Sequence, residues 1–293
     1  MKILITGKNG QLGKSIHKVF TRKKLPYEFV FVGRQELDLS SIDSIKDFFN
    51  QNTFDIVINC AAYTAVDKAE DEYELANIVN NLAVEQIAKI AKKQQFKLIH
   101  ISTDYVFDGE ANEPYTEKDI TNPINAYGRS KLAGELAIKN SLPNNAMIIR
   151  TSGLYSEFSN NFVDTILKLG KLKNELDVVF DQMFSPTYAS DLAEAILTII
   201  KSKKFNIDNQ RTQIYHYCAN NAVSWYDFAN EVFKLSNISV KTNPIELKKY
   251  PALAKKPEYS VLNTYKTVQS FNVKTFGWKA ALKFFLLKGP KYS

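Results

Sequence analysis

The chain has 293 residues, 45% of them hydrophobic and 24% charged, which is typical of a globular protein and excludes a wholly disordered or fibrous one. No apolar run approaches the ~18 residues that a membrane-spanning helix needs, and the start MKILITG lacks a secretory pattern, so we expect a cytoplasmic protein with no membrane partner. The net charge of +7 comes mostly from scattered lysines, which favours nucleotide-like anionic ligands over nucleic acid.

The first half of the sequence alternates short apolar runs with helical patterns. The apolar runs are continuous, which is typical of strands buried on both faces of a parallel sheet. Strands and helices that alternate in this way predict an α/β fold with a doubly wound sheet. The predicted strands are residues 2–6, 27–33, 55–61, 97–102 and 146–152, and the predicted helices lie near 11–22, 40–50, 71–93 and 125–140.

Three glycines follow the first predicted strand and open the first helix, in the segment GKNGQLG. In this setting Gly7 allows the tight turn, Gly10 lets the backbone approach a diphosphate, and Gly13 permits close packing of helix on strand. The diphosphate would bind the unpaired N–H groups at the positive end of the helix. The segment predicts a dinucleotide site, with incidental turn glycines as the alternative.

The end of the second predicted strand bears on the choice of cofactor. An acidic residue at this point would bind the ribose 2′-hydroxyl of NADH. The sequence instead has Gly33 and Arg34, and a guanidinium pairs well with a 2′-phosphate. Arg34 therefore favours NADPH over NADH, with a solvated surface arginine as the alternative.

Tyr127 and Lys131 lie four residues apart on a predicted helix, which places them on one face. A ketone that receives a hydride must also be protonated, and a phenol beside an ammonium is expected to have a lowered pKa suited to that task. Thr103 or Ser102, at the end of the fourth strand, can orient the ketone oxygen. Together these residues predict a reductase site at the carboxyl edge of the sheet.

The remaining residues that often carry chemistry give weaker signals. Cys60 and Cys218 have no metal or redox spacing, and the three histidines show no ligand pattern, so we expect no metal site. We expect His100 to point into the packing of the sheet. Arg150 ends the fifth strand and is assigned with equal weight to the substrate or to a buried network.

Several longer motifs carry a resemblance to a known family. They are spread over nearly the whole chain and read ITGKNGQLG, INCAAYTAVDKAE, STDYVFDG, AYGRSKLAGE, RTSGLY, SNNF, SPTYASDLA and SVLNTYK. On these motifs the chain resembles the dTDP-4-dehydrorhamnose reductase family, within the extended short-chain dehydrogenases/reductases. The resemblance implies a Rossmann-like NAD(P)-binding domain over residues 1–150. Because the alternation of strands and helices loosens after about residue 150, we expect a smaller substrate-binding region over 151–293 that interleaves with late sheet elements.

The same resemblance implies reduction of the C4 ketone of a nucleotide-linked 6-deoxyhexose with NADPH or NADH, and it allows a homodimer. Tyr127 is then the acid, Lys131 its modulator and a ribose ligand, and Thr103 the residue that orients the carbonyl. The further cofactor residues implied are Gln11, Leu12, Asp38, Leu39, Ala61, Ala62, Tyr63 and Asn80. The candidate substrate residues besides Thr103 are Asp104, Tyr105, Gly153, Asn161, Lys256 and Asn263. Two other aromatic residues, Phe107 and Tyr155, are candidates for the sugar pocket.

The sequence departs from the family pattern around the expected sugar site. Gly153 stands where the family usually has tryptophan, Phe184 where it has glycine, and Lys256 where it tends to have arginine. These departures concern the identity of the hexose and leave the reductase chemistry in place.

Two other functions stay open at this stage. One is an epimerase or dehydratase of the same superfamily, although the glutamate that a dehydratase needs after Asp104 is Tyr105 here. The other is a non-catalytic binding subunit of the same fold, resembling the regulatory subunit of methionine adenosyltransferase. The intact set of Thr103, Tyr127 and Lys131 disfavours that function.

Overall fold

The computed structural model describes residues 1–158, 161–205 and 211–287. Its first half alternates strands and helices as the sequence predicts, with boundaries that shift by a few residues. The elements of this half are β1 (Lys2–Thr6), α1 (Gln11–Lys23), β2 (Glu28–Val32), α2 (Ile42–Gln51), β3 (Ile56–Asn59), α3 (Lys68–Asp71), α4 (Tyr73–Asn77), α5 (Ala83–Gln94), β4 (Lys97–Thr103), α6 (Ala126–Ser141) and β5 (Ala146–Thr151).

The second half consists of short strands and amphipathic helices. Its elements are β6 (Leu154–Tyr155), α7 (Phe162–Leu172), β7 (Glu175–Val179), β8 (Met183–Phe184), β9 (Thr187–Tyr188), α8 (Ala189–Lys201), β10 (Gln213–His216), β11 (Val223–Ser224), α9 (Trp225–Leu235), β12 (Lys241–Ile245), α10 (Tyr265–Phe271) and α11 (Trp278–Leu287).

A six-stranded parallel sheet in the order β10-β5-β4-β3-β1-β2 forms the centre of the fold. Buried side chains of α1 and α8 pack on one face of the sheet, and those of α2, α5 and α6 pack on the other. Successive strand residues point to opposite faces and both faces are covered, which explains why the strands read as continuous apolar runs. The predicted doubly wound parallel sheet is confirmed.

The later part of the chain contributes to the sheet and also builds its own apolar cluster. The edge strand β10 pairs with β5, and α8 packs beside α1. A separate cluster joins α7, α9 and α11 to the short strands around Tyr155 and Phe184. The division near residue 150 stays a prediction, and residues 288–293 of the second predicted region lie outside the described part of the chain.

One predicted helix differs from expectation. The segment predicted as a single helix near 71–93 consists of α3, α4, a π-helical turn at Ile78–Leu82, and α5. Asn80 lies buried in this turn. Its Oδ1 accepts from the N–H of Tyr63 at 2.9 Å, and its Nδ2 donates to the carbonyl oxygen of Tyr63 at 3.0 Å. A π turn widens the helix locally and is often found near functional sites.

Among the helices within residues 1–158, 161–205 and 211–287, none combines the length and apolar character needed to cross a membrane. In the same ranges, His, Cys, Asp and Glu side chains do not gather in threes or more at a position that could hold a metal ion.

Candidate functional site

A cleft of about 830 Å³ runs along the carboxyl ends of the central strands. Ligands of open α/β sheets bind at this edge, and the volume suits a cofactor and part of a substrate. Of the candidate site residues, sixteen line the cleft: Gly7, Gly10, Gln11, Leu12, Gly13, Arg34, Asp38, Leu39, Ala61, Ala62, Tyr63, Thr103, Asp104, Tyr127, Lys131 and Gly153.

The glycine segment forms the tight turn between β1 and α1. Gly7 has φ +71°, and a Cβ on Gly13 would lie 2.3 Å from the carbonyl oxygen of Gly7. At the start of α1, Gly10 supplies no capping side chain and the first turn has no acidic residue. The first N–H groups of the helix are therefore open to an anion from the cleft. This arrangement fits the diphosphate of a nicotinamide dinucleotide.

Arg34 lies at the outer end of the cleft, immediately after β2 and Gly33. Its side chain is 77% exposed and its Nε is 3.4 Å from Asp38. Hydrogen bonds from Ser40 are the main cause that lowers the pKa of Asp38, with Arg34 contributing less. Arg34 is free to turn toward a ligand phosphate because its present partners are weak surface contacts.

The middle of the cleft is walled by the segment that follows β3. Ala61, Ala62 and Tyr63 line it, and Asn80 stands behind Tyr63 and also donates to Ser130 of α6. Asn80, predicted to contact the cofactor, lies outside the cleft lining within the described residues. Its buried side-chain amide bonds Tyr63 and Ser130, so Asn80 holds the wall of the cleft from behind.

Thr103, Tyr127 and Lys131 converge where β4 ends beside α6. Asn125 caps α6 by accepting a hydrogen bond from the N–H of Gly128 at 2.7 Å, which fixes the first turn that carries Tyr127. Thr103 and Tyr127 both line the cleft at this point. Lys131 is 2% exposed, and its Nζ donates to the carbonyl oxygen of Ile101 at 2.7 Å.

The electrostatics of this triad differ from expectation. Burial raises the pKa of Tyr127 to about 12, opposed by the hydroxyl of Thr103 and assisted by Asp104. Burial lowers the pKa of Lys131 to about 8, against the effect of Glu135 and Cys60. The predicted lowering of the phenol pKa by Lys131 is therefore wrong for this structure, because desolvation dominates and the Lys131 amine is turned toward the sheet.

Asp104 and Ser152 complete the substrate end of the cleft. The carboxylate of Asp104 accepts hydrogen bonds from Thr103 at 2.9 Å and from Ser152 at 2.7 Å, and burial raises its pKa. Gly153 follows directly, and the ring of Phe184 lies against it. Phe184 in turn stacks on Trp225 with ring centroids 3.8 Å apart. An aromatic pair thus stands next to Gly153.

Four predicted substrate residues lie outside the lining of this cleft within the described residues. Tyr105 is next to Tyr127, with ring centroids 6.0 Å apart. Asn161 caps α7, its Oδ1 accepting from the N–H of Asp164 at 3.2 Å, and the first two residues of its SNNF motif, 159 and 160, lie outside the described residues. Lys256 is 3.9 Å from Asp67. Asn263 accepts from the N–H of Tyr265 at 2.9 Å.

The other two aromatic candidates for the sugar pocket are buried elsewhere. Phe107 stacks on Tyr115 with ring centroids 4.1 Å apart, and Tyr155 lies in the aromatic cluster with Tyr188. Arg150 forms a buried ion pair with Glu135, so the network alternative is the one the structure contains. Both cysteines have free thiols.

Sequence reasoning missed several residues of the site. Ser152 and Leu154 line the cleft just after β5, and Leu37 and Val79 line it further out. The end of a predicted strand could have identified Ser152, because strand ends meet at the ligand edge. His100 was expected only to pack within the sheet, and it lies 3.3 Å from the Nζ of Lys131.

Comparison with known proteins supports one family over nearly the full chain. The family model described as RmlD substrate binding domain matches residues 1–289. A dTDP-4-dehydrorhamnose reductase of Aggregatibacter actinomycetemcomitans is 39% identical, with 96% of this chain and 97% of that protein covered.

Two solved structures give the same result. A dTDP-4-dehydrorhamnose reductase from Clostridium acetobutylicum ATCC 824 is 42% identical with a TM-score of 0.91, over 98% of this chain and 99% of that one. The enzyme from Bacillus anthracis str. Ames, in complex with NADP, is 35% identical with a TM-score of 0.89 over the same shares. The chain therefore belongs to the dTDP-4-dehydrorhamnose reductase family, whose model spans it from residue 1 to residue 289.

Proposed function

We propose that this protein reduces the C4 ketone of dTDP-4-dehydrorhamnose to give dTDP-rhamnose, a precursor for polysaccharide synthesis, with NADPH or NADH as reductant. The observation that carries the proposal is the convergence of Thr103, Tyr127 and Lys131 in the cleft that begins at the glycine turn. Relatives that are 35–42% identical over nearly their whole length carry the reductase name, and one is in complex with NADP.

Each of the three residues has a defined task in this reaction. On substrate binding the Thr103 hydroxyl would turn from Asp104 and donate its one proton to the ketone oxygen, which orients the carbonyl. When bound, a reduced nicotinamide would supply the hydride for the sugar C4 carbon, and the carbonyl π electrons would move to oxygen. The Tyr127 phenol gives its proton to that oxygen, and the phenolate left behind regains a proton from solvent. The ammonium of Lys131 would donate to the ribose hydroxyls of the bound nicotinamide.

The raised pKa of Tyr127 suits the reductive direction. At neutral pH the phenol is fully protonated, so the proton donor is present in every molecule. Lys131 is still mostly charged at pH 7, because its pKa of about 8 lies above that pH. The site therefore holds both the proton donor and the cation that the transition state needs.

The other residues of the cleft are assigned by position. Gly7, Gly10, Gln11, Leu12 and Gly13 hold the diphosphate, and Ala61, Ala62 and Tyr63 lie along the ribose. Arg34, Asp38 and Leu39 face the adenosine end. On the substrate side, Asp104 and Gly153 lie in the cleft, and Tyr105, Asn161, Lys256 and Asn263 stay predictions. We expect the reaction to take place in the cytoplasm, and a homodimer stays part of the proposal.

The test is turnover of the purified full-length chain with NADPH and dTDP-4-dehydrorhamnose, followed by the absorbance of the reduced nicotinamide. The proposal expects steady oxidation and one equivalent of dTDP-rhamnose per NADPH. Tight NADPH binding without turnover on any dTDP-linked 4-keto-6-deoxyhexose would support the non-catalytic binding subunit. Sugar isomerisation or water loss without net NADPH oxidation would support an epimerase or a dehydratase.

A further inference from the structure

Three buried polar side chains form a row across the middle of the central sheet. Thr6, Asn59 and His100 are register neighbours on β1, β3 and β4, and each is at most 1% exposed. The row ends at Lys131 of α6, whose Nζ is 3.3 Å from Nε2 of His100. Polar groups buried this deeply in an apolar sheet are costly unless each is hydrogen-bonded. The row is therefore a continuous network and requires an ordered set of donors and acceptors.

The distances fix the direction of the hydrogen bonds in the row. The Oγ1 of Thr6 accepts from the N–H of Ala61 and lies 2.6 Å from Oδ1 of Asn59. A separation of 2.6 Å suits O–H···O and is short for N–H···O, so the hydroxyl donates to the amide oxygen. The amide nitrogen of Asn59 then faces Nδ1 of His100 at 3.1 Å as a donor.

This order determines where the imidazole proton is. Burial, together with the charge of Lys131, lowers the pKa of His100 well below its ordinary value, so the ring is neutral. In a neutral ring one nitrogen accepts and the other carries hydrogen. Because Nδ1 accepts from Asn59, the proton is on Nε2, which points at the amine of Lys131.

A hydrogen on Nε2 of His100 disfavours the charged form of the Lys131 amine. An ammonium has three donors and no acceptor, whereas a neutral amine can accept from the imidazole N–H. The other titratable groups near Lys131 are Glu135 on α6, Cys60 after β3, and Tyr127 one turn earlier on α6. Glu135 favours the charged amine, so the imidazole and the carboxylate act in opposite directions.

We infer that His100 is a positioning residue for Lys131: the row Thr6–Asn59–His100 presents an N–H donor that weakens proton binding by the Lys131 amine. The role of Lys131 in catalysis rests on the proposed function, but the hydrogen-bond order of the row does not. The row thereby helps to set the pH above which Lys131 loses its charge in the cleft.

The first test needs no turnover. Two-bond ¹H–¹⁵N NMR spectra of the ¹⁵N-labelled chain distinguish the two imidazole tautomers, and His100→Gln identifies the His100 signals by their loss. The expected result is a neutral ring over pH 6–9 with hydrogen on Nε2. Hydrogen on Nδ1, or a charged ring at neutral pH, would overturn the inference.

The second test reverses the direction of the hydrogen bond between residue 59 and His100 without substituting His100 or Lys131. In Asn59→Asp the carboxylate accepts from Nδ1–H, so Nε2 becomes an acceptor for the Lys131 ammonium. The alkaline limb of kcat/KM should move up by about half a pH unit or more. His100→Gln should also move the limb up, because an amide can present its oxygen to the ammonium. His17→Gln, at an exposed position of α1, should leave the limb in place.

A structural role alone predicts a different set of results. It allows lower stability or lower kcat in these variants, and a moved alkaline limb only in Asn59→Asp, where the charge of the new carboxylate by itself favours the ammonium. An unmoved limb in folded Asn59→Asp and His100→Gln, judged by thermal unfolding and NADPH binding, would therefore overturn the inference. If Asn59→Asp does not fold, the wild-type tautomer and His100→Gln decide. If the protein turns over no keto-sugar but shows the expected tautomer of His100, the proposed function is rejected and the hydrogen-bond order of the row is retained.

Discussion

Gly153 and Phe184 touch so closely that a methyl group on Gly153 would lie 2.5 Å from the Phe184 ring. Gly153 also has φ +51°, in the left-handed region. We expect Gly153→Ala to destabilise the fold by about 2 kcal/mol or more, from backbone strain and collision combined. Urea unfolding measures this, and KM for the sugar nucleotide should rise because Gly153 lines the cleft.

A double mutant separates the two causes. In a Phe184→Leu background the collision is relieved, so Gly153→Ala should cost less there by ~1 kcal/mol, with the strain remaining. Gly277→Ala is the matched control, because a Cβ at that position meets only Asn221, at 3.8 Å. Equal costs of Gly153→Ala in both backgrounds would show that the Phe184 ring moves aside freely.

Tyr127→Phe removes the proposed proton donor and leaves the ring in place. We expect kcat to fall by ~10²-fold or more while the Kd for NADPH stays the same. Stopped-flow turnover and fluorescence titration of NADPH measure the two quantities. Tyr265→Phe, at a 70% exposed tyrosine on α10, should change neither. Full activity in Tyr127→Phe would reject the role given to the phenol.

The pH dependence follows from the lowered pKa of Lys131. The ammonium is the active form, and a pKa of about 8 means that it is lost as pH rises through that value. We therefore expect kcat/KM to be level near neutral pH and to decline above about pH 8, at lower pH than an ordinary lysine would give. A pH series of initial rates checks this. Lys131→Arg should have a lower rate but no such decline, because a guanidinium stays charged.

Local spacing predicted the parts of the site that lie close together in the chain. Tyr127 and Lys131 are four residues apart on α6, so their common face follows from the period of the helix. The glycines of the turn likewise lie within one short segment between β1 and α1. The strand end at Thr103 could be predicted because parallel strands end at a common edge.

Contacts that depend on the order of the strands could not be predicted in this way. Asn59 meets Thr6 and His100 only because β3 lies between β1 and β4, and nothing in the local sequence states that order. The packing of Phe184 on Gly153, 31 positions apart, likewise depends on tertiary structure. Burial also decided the pKa of Tyr127, against the expectation from its neighbour Lys131.

Arg34→Ala tests the basis for the expected preference for NADPH. If Arg34 turns to the 2′-phosphate, its removal should raise KM for NADPH ~10-fold and leave KM for NADH nearly unchanged. Steady-state kinetics with both cofactors provide the measurement. Arg22→Ala is the control, because Arg22 is an exposed arginine on α1 that pairs with Glu194 outside the cleft. A parallel rise for both cofactors would mean that Arg34 contacts neither phosphate specifically.

Glu135 and Arg150 form a buried ion pair beneath the catalytic residues, with side chains 0% and 2% exposed and contacts of 2.9 and 2.6 Å. Glu135→Gln leaves the Arg150 charge buried without its partner, so we expect a loss of ~3–5 kcal/mol in unfolding free energy.

The double variant Glu135→Leu with Arg150→Met removes both charges and should recover much of that loss, because two apolar side chains cost little to bury. Urea unfolding of the three proteins gives the comparison. The double variant also removes the carboxylate that favours the Lys131 ammonium, so its alkaline activity limb should move to lower pH. A double variant as unstable as Glu135→Gln would show that the polar contacts, including that of Ser102 with Glu135, outweigh the cost of burying the charges.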